Sequence, residues 1–158
     1  MRIGFGYDVH QLKEGRIFRL GGIDIPHHKG ADGHSDADVL IHAICDALLG
    51  AANLGDIGIH FPDTSKDFKN IDSRILLSKV CELLKKNNYV IGNIDTTLCL
   101  QAPKISPFIP DMQKALAEVM SLPENKISIK ATTNEKMGFV GREEGVTCYA
   151  VALILEIA

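Results

Sequence analysis

Asp8 and His10 stand two residues apart in the run Gly4-Phe5-Gly6-Tyr7-Asp8-Val9-His10. On a strand, positions i and i+2 project from one face, so a carboxylate and an imidazole leave the backbone together while Tyr7 and Val9 point the other way. That pair suits a divalent transition ion. Zinc takes imidazole nitrogen and carboxylate oxygen at about 2.0–2.2 Å, and a catalytic site combines three protein ligands with one open position. The third ligand must come from another element. The candidate is His42, a helical imidazole two turns beyond His34. A strand-end Asp and His facing solvent is the competing reading.

The segment Gly33–Val39 reads as a helix start, with Ser35 as N-cap and Asp38 at N3 of a capping box. Such a terminus also offers free N–H groups and a positive dipole end to a phosphate, and His34 can point at that anion. His34, Asp38, His42 and Asp46 recur at i, i+4. Asp38 or Asp46 can orient His42, and a solvated helix face explains the spacing equally well. Asp56-Ile57-Gly58 and Phe61-Pro62-Asp63-Thr64-Ser65 lie in a long loop, 54–69. Loops of that length are more often functional than idle, although turn aspartates also serve backbone hydrogen bonds. Thr132-Thr133-Asn134-Glu135 ends an apolar strand, and Glu135 is either a hard oxygen ligand suited to Mg²⁺ or an exposed turn residue. In the glycine-flanked loop 138–142, Arg142 either clamps a phosphate or pairs with Glu143 or Glu144. His60 and the pair His27-His28 lack spaced partners and read as surface residues. Val9 stands where a dinucleotide fingerprint needs its third glycine, and neither a Walker A sequence nor G-x-S-x-G is present.

Such groups need a rigid scaffold. The chain has 158 residues, 46% of them hydrophobic and 23% charged, with a formal charge of −3. A core of that size excludes disorder, collagen and coiled coil. No apolar run approaches the roughly 20 residues of a membrane span, and the N-terminus lacks the apolar stretch of a secretory signal. Slight acidity, with Lys85-Lys86 as the single basic cluster, argues against nucleic acid. It does not argue against anionic substrates, because a bound metal supplies positive charge. Four cysteines without a C-x-x-C pair point to free thiols in a reducing cytoplasm. Patterning predicts strands at 3–9, 16–20, 23–26, 89–101, 127–133 and 146–157, and a polar loop at 27–33. Helices are predicted from Ser35 to about Ala52, from Asp72 or Ser73 to about Asn88, and over 109–120. The order implies an α+β or mixed α/β class, one sheet with helices on one face.

Five segments in order resemble the 2-C-methyl-D-erythritol 2,4-cyclodiphosphate synthase family: GFGYDVH (4–10), GHSDADVLIHA (33–43), LGDIGIHFPDT (54–64), QAPK (101–104) and KATTNEKMGFVGREEG (130–145). The resemblance covers essentially the whole chain. It implies a single domain over 1–158 with a four-stranded mixed sheet, in a cytoplasmic homotrimer with active sites between subunits and no nucleic-acid or membrane partner. The implied activity is a lyase of the non-mevalonate isoprenoid pathway. It converts 4-diphosphocytidyl-2-C-methyl-D-erythritol 2-phosphate to the 2,4-cyclodiphosphate and releases CMP.

By the same resemblance Asp8, His10 and His42 hold one Zn²⁺ per subunit, and Glu135 holds a Mg²⁺ or Mn²⁺ on the substrate diphosphate. His34 and Thr133 are implied transition-state stabilisers, with Ser35 near the phosphates. Asp56, Ile57 and Gly58 match a ribose-binding turn, and Phe61, Pro62, Asp63, Thr64 and Ser65 match a methylerythritol-binding segment. Leu100, Gln101, Ala102, Pro103, Lys104, Ile105 and Ser106 match a cytidine pocket together with Ala131, Thr132 and Thr133. Lys104 reaches the diphosphate in that scheme. Phe139 and Arg142 match ligand-binding positions and, near the trimer axis, a site for isoprenoid diphosphates. Ser65 departs from the family pattern, in which an acidic residue often ends FPDTD. A zinc hydrolase using Glu135 as base, and a non-catalytic trimer binding isoprenoid diphosphates, are the alternatives.

Overall fold

Strand β1 (Arg2–Glu14) carries two rows of side chains with opposite surroundings. Gly4, Gly6, Asp8 and His10 face helix α1 (Val39–Ala51). A Cβ on Gly4 would stand 1.8 Å from the Ala47 carbonyl oxygen, and one on Gly6 2.0 Å from that of Ala43. Only glycine lets two backbones approach so closely. The other row, Ile3, Phe5, Tyr7 and Val9, is 69, 64, 42 and 43% exposed.

The structure is a computed structural model that describes residues 1–62, 64 and 70–157, so Asp63 and Ser65 lie outside the described residues. After β1 come β2 (Phe18–Leu20), β3 (Ile23–Ile25), β4 (Lys29–Asp32), α1 and the short α2 (Ile57–His60). Then follow α3 (Ser73–Lys86), β5 (Tyr89–Cys99), α4 (Ile109–Met120), β6 (Ile127–Thr132), α5 (Gly138–Gly141) and β7 (Gly145–Glu156). The main sheet has the order β4-β1-β7-β5-β6, with β5 and β6 parallel and the other neighbours antiparallel. It is a mixed sheet in an α+β fold, and β2 and β3 form a separate hairpin around Gly21-Gly22. Both glycines have positive φ, 60° and 81°, as that reversal requires.

Two expectations need correction. The main sheet has five strands, not four, because β4 forms inside the segment expected to be a polar loop and pairs with the extended end of β1 at Gln11–Glu14. Asp32 on β4 takes ion pairs from Lys13 and Arg16, which fix that edge. Helix α1 starts at Val39 rather than just after Ser35, and its N-cap is Asp38. Ala37 has φ 57°, a left-handed residue that no right-handed helix starting at Ser35 could contain. Fully buried, the Asp38 carboxylate accepts from Gly21 N (2.9 Å), Gly22 N (2.7 Å) and Ile41 N (3.1 Å). One carboxylate thus caps α1 and ties it to the β2–β3 hairpin.

Beside β1, β7 continues the shallow trough for α1. Gly4, Gly6 and Asp8 sit opposite Ala152, Ala150 and Cys148, all small and all buried. The four cysteines are free thiols, as expected. Among the described residues no helix is long and apolar enough to cross a membrane.

This packing predicts that two glycine substitutions diverge. Gly6→Ala should destabilise by about 3 kcal/mol or more, because the clash is with backbone and cannot be relieved by a side-chain rotation. Gly50→Ala, where an added Cβ meets nothing within 4 Å, should be neutral or stabilise by up to about 1 kcal/mol. Urea unfolding of both variants checks the pair, and equal midpoints would contradict the close approach.

Candidate metal centre and ligand clefts

Asp8 Oδ2, His10 Nε2 and His42 Nδ1 form a triangle with edges of 2.9, 3.0 and 3.1 Å. Four ligands about 2.0–2.1 Å from a tetrahedral ion stand about 3.3 Å apart, so these three atoms nearly describe one face of such a site. The donor set is consistent with zinc. Strand period brings Asp8 and His10 to one face, and the glycines before them bring that face against α1, where His42 sits one turn past the cap.

The imidazole atoms turned away from the triangle are also engaged. His10 Nδ1 lies 3.1 Å from the Asp32 carbonyl, which can only accept a hydrogen bond, so the Nε2 side of the ring is turned to the triangle. His42 Nε2 lies 2.9 Å from Ser73 Oγ and 3.1 Å from Ser35 Oγ. The buried Ser73 hydroxyl donates to Asp36 Oδ1, and Ser73 N donates to Asp36 Oδ2 at 3.0 Å. A relay from His42 through Ser73 to Asp36 therefore fixes the ring. Neither Asp38 nor Asp46 orients it: Asp38 serves the cap, and Asp46 Oδ1 accepts from Ile57 N at 2.8 Å. The sequence reading missed Asp36 and Ser73 in this role. The available signal was a hydroxyl directly after the Asp72 cap of α3, at a position that is fully buried.

Burial pushes the Asp8 carboxyl up, but hydrogen bonds from His10 and His42 and their charges outweigh it, so Asp8 lies well below the usual carboxylate range. For His10, burial pulls down and the Asp8 hydrogen bond and charge pull up more strongly, leaving it raised. Both shifts have the same origin: a carboxylate and an imidazole held together out of water.

The triangle opens into a cleft of about 470 Å³ whose lining includes His34, Ser35, Ile57, Gly58, Phe61, Pro62 and Thr64. Asp56 stands at its edge as the N-cap of α2, accepting from Ile59 N at 3.0 Å. A second cleft, about 440 Å³, is lined by Leu100, Gln101, Pro103, Lys104, Ile105 and Ser106 with Ala131, Thr132 and Thr133. Ala102 lies in the same connector. Among the described residues the two clefts share no lining residue. Glu135 belongs beside the second: its Oε1 accepts from Thr133 Oγ1 at 3.2 Å, and it is not among the donors around Asp8. Gln101 accepts from Lys136 N at 3.1 Å and ties that loop to the connector. Arg142 makes a bidentate pair with Glu144, at 2.9 and 3.0 Å, beside the 42%-exposed Phe139.

If Ser73 positions His42, Ser73→Ala should lower zinc affinity about 10- to 100-fold while leaving the fold intact. Competition with a chelator of known affinity measures this, with circular dichroism as the control. Unchanged affinity would remove the relay from the account.

Residues 1–155 match the YgbB family. The 2-C-methyl-D-erythritol 2,4-cyclodiphosphate synthase of Cytophaga hutchinsonii is 60% identical over 156 residues, covering 99% of this chain and 98% of that protein. The bifunctional IspDF of Campylobacter jejuni superposes with a TM-score of 0.95 at 40% identity, covering 99% of this chain and 42% of that one. A CDP complex of IspF from Plasmodium falciparum superposes with a TM-score of 0.87 at 36% identity, covering 99% and 97%.

Proposed function

The chain belongs to the YgbB family, and on that premise we propose that it is a 2-C-methyl-D-erythritol 2,4-cyclodiphosphate synthase of the non-mevalonate isoprenoid pathway. Its substrate is 4-diphosphocytidyl-2-C-methyl-D-erythritol 2-phosphate, and its products are the 2,4-cyclodiphosphate and CMP. The carrying observation is the Asp8, His10 and His42 triangle at the head of a cleft, in a chain 60% identical to a protein of that name.

The chemistry needs crowded phosphates brought together. An oxygen of the 2-phosphate bonds to the β-phosphorus, the bond from that phosphorus to the bridging oxygen breaks, and CMP leaves with that oxygen. The attacking phosphate is already an anion, so no strong general base is required. Positioning and charge stabilisation supply the acceleration. Asp8, His10 and His42 hold zinc, and Glu135 holds Mg²⁺ or Mn²⁺; when bound, these ions offset phosphate charge, with about +1 left on a zinc that carries one carboxylate. His34 and Thr133 donate to the developing charge, and Ser35 orients a phosphate oxygen. Asp56, Ile57 and Gly58 hold the ribose, while Phe61, Pro62 and Thr64 enclose the methylerythritol. The connector Leu100–Ser106 and residues Ala131 to Thr133 hold the cytidine, with Lys104 on the diphosphate. The CDP complex of the Plasmodium falciparum relative supports a cytidine diphosphate ligand.

A homotrimer completes the reading. The exposed row on β1 continues across the sheet as Tyr149 and Val151, 42 and 43% exposed, with the Tyr7 and Tyr149 rings 5.0 Å apart. Such a face is larger than scattered surface apolar residues require and suits burial against a second copy. Phe139 and Arg142 lie on the segment that would meet an isoprenoid diphosphate at the trimer axis. A cytoplasmic setting agrees with the free thiols.

Product analysis separates this activity from hydrolysis. Purified enzyme with the named substrate should release one CMP per cyclic product and place no oxygen from isotopically labelled water in either. An acyclic phosphate product carrying labelled oxygen would replace the synthase with a zinc hydrolase.

A further inference from the structure

Two segments distant in sequence bring a second set of metal-ligating side chains together. His27 and His28 lie between β3 and β4, and Glu143 lies in the turn between α5 and β7. Their donor atoms all fall within 4.8 Å of one another. The two imidazole rings stand edge to face, with centroids 4.3 Å apart and planes at 62°. Adjacent residues on a regular strand project to opposite faces. Here His28 sits at a bend, and both rings reach the same place.

The surroundings hold this cluster in position. Lys29 Nζ donates to the Glu143 backbone carbonyl at 3.0 Å and fastens the two segments to each other. Gly15 N donates to the His28 carbonyl at 3.1 Å, and Glu143 N donates to the Val140 carbonyl at 3.0 Å. Glu143 has φ 57°, a left-handed conformation that a non-glycine residue adopts at a cost. His27 Nε2 is buried and has no hydrogen-bond partner among the described residues, although an imidazole nitrogen out of water ordinarily has one. Burial, the neighbouring His28 and the Lys29 charge draw the His27 imidazole below its ordinary range, against the opposing pull of Glu143.

We propose that His27, His28 and Glu143 form a second divalent transition-metal site, separate from Asp8, His10 and His42. Two imidazoles and one carboxylate repeat the donor chemistry of the first triangle, which suits Zn²⁺ or Co²⁺. The bound ion ties the start of β4 to the start of β7. With His28 exposed to water, where all three ligands of the first triangle are partly buried, the second site is the weaker of the two.

Co²⁺ titration of metal-free protein, followed by visible absorption, tests this directly. The wild-type chain should take up two equivalents in succession, the first tight and the second at least about 10-fold weaker. His28→Ala and Glu143→Gln should each lose only the second equivalent. His42→Ala should lose the tight equivalent and retain the weaker one, so failure of either site reads out separately. As an independent readout, Zn²⁺ beyond one equivalent should raise the melting temperature of wild type but not of Glu143→Gln. Thermal melts without metal establish that His28→Ala, an exposed position, remains folded. A single equivalent in wild type, or a second equivalent indifferent to both variants, would overturn the proposal.

Discussion

The backbone contact between β1 and α1 is the constraint on which the rest depends. Gly4 and Gly6 remove the side chains that would hold the strand off the Ala43 and Ala47 carbonyls. Because side chains alternate along a strand, the same register that turns the glycines inward also turns Asp8 and His10 toward His42. It equally commits Ile3, Phe5, Tyr7 and Val9 to the far face, where they remain exposed. One packing decision therefore produces a metal-ligand triangle on one side of the sheet and an apolar surface on the other.

Polar contacts then refine what the packing brings together. Asp38 anchors the start of α1 to Gly21 and Gly22, which sets the axial position of His42 one turn later. Ser73 and Asp36 hold the outward nitrogen of that ring, and Asp32 holds the outward nitrogen of His10. Asp36 and Asp38, two residues apart, thus do different work, one through α3 and one through the hairpin. Substituting either removes a contact to an element far away in sequence.

What could be read from the sequence follows from range. Asp8 and His10 were legible because strand period acts between neighbours, and α4 emerged over Ile109–Met120 as its apolar spacing implied. Strand β4 was not legible, since Lys-Gly-Ala-Asp has no apolar alternation and becomes a strand only by pairing with β1. The capping box at Ser35 and Asp38 has the right spacing, yet the cap falls on Asp38 because its carboxylate meets amides 16 and 17 residues back. Ser73 escaped for the same reason, its partners His42 and Asp36 lying 31 and 37 residues away. His27 and His28 read as unpartnered surface residues, whereas the fold brings Glu143 to them.

The central proposal is that one reaction centre is built in halves, a metal half on β1 and α1 and a nucleotide half on the connector after β5, joined across copies at the apolar sheet face. The most direct measurement combines two defective chains. His42→Ala breaks the first half and Lys104→Ala the second, and each homotrimer should be inactive. Co-refolded at equal amounts, with mixed trimers confirmed by mass, they should recover about a quarter of wild-type activity, because each mixed trimer holds one interface with both halves intact. Recovery indistinguishable from zero would mean that both halves serve a site within one chain.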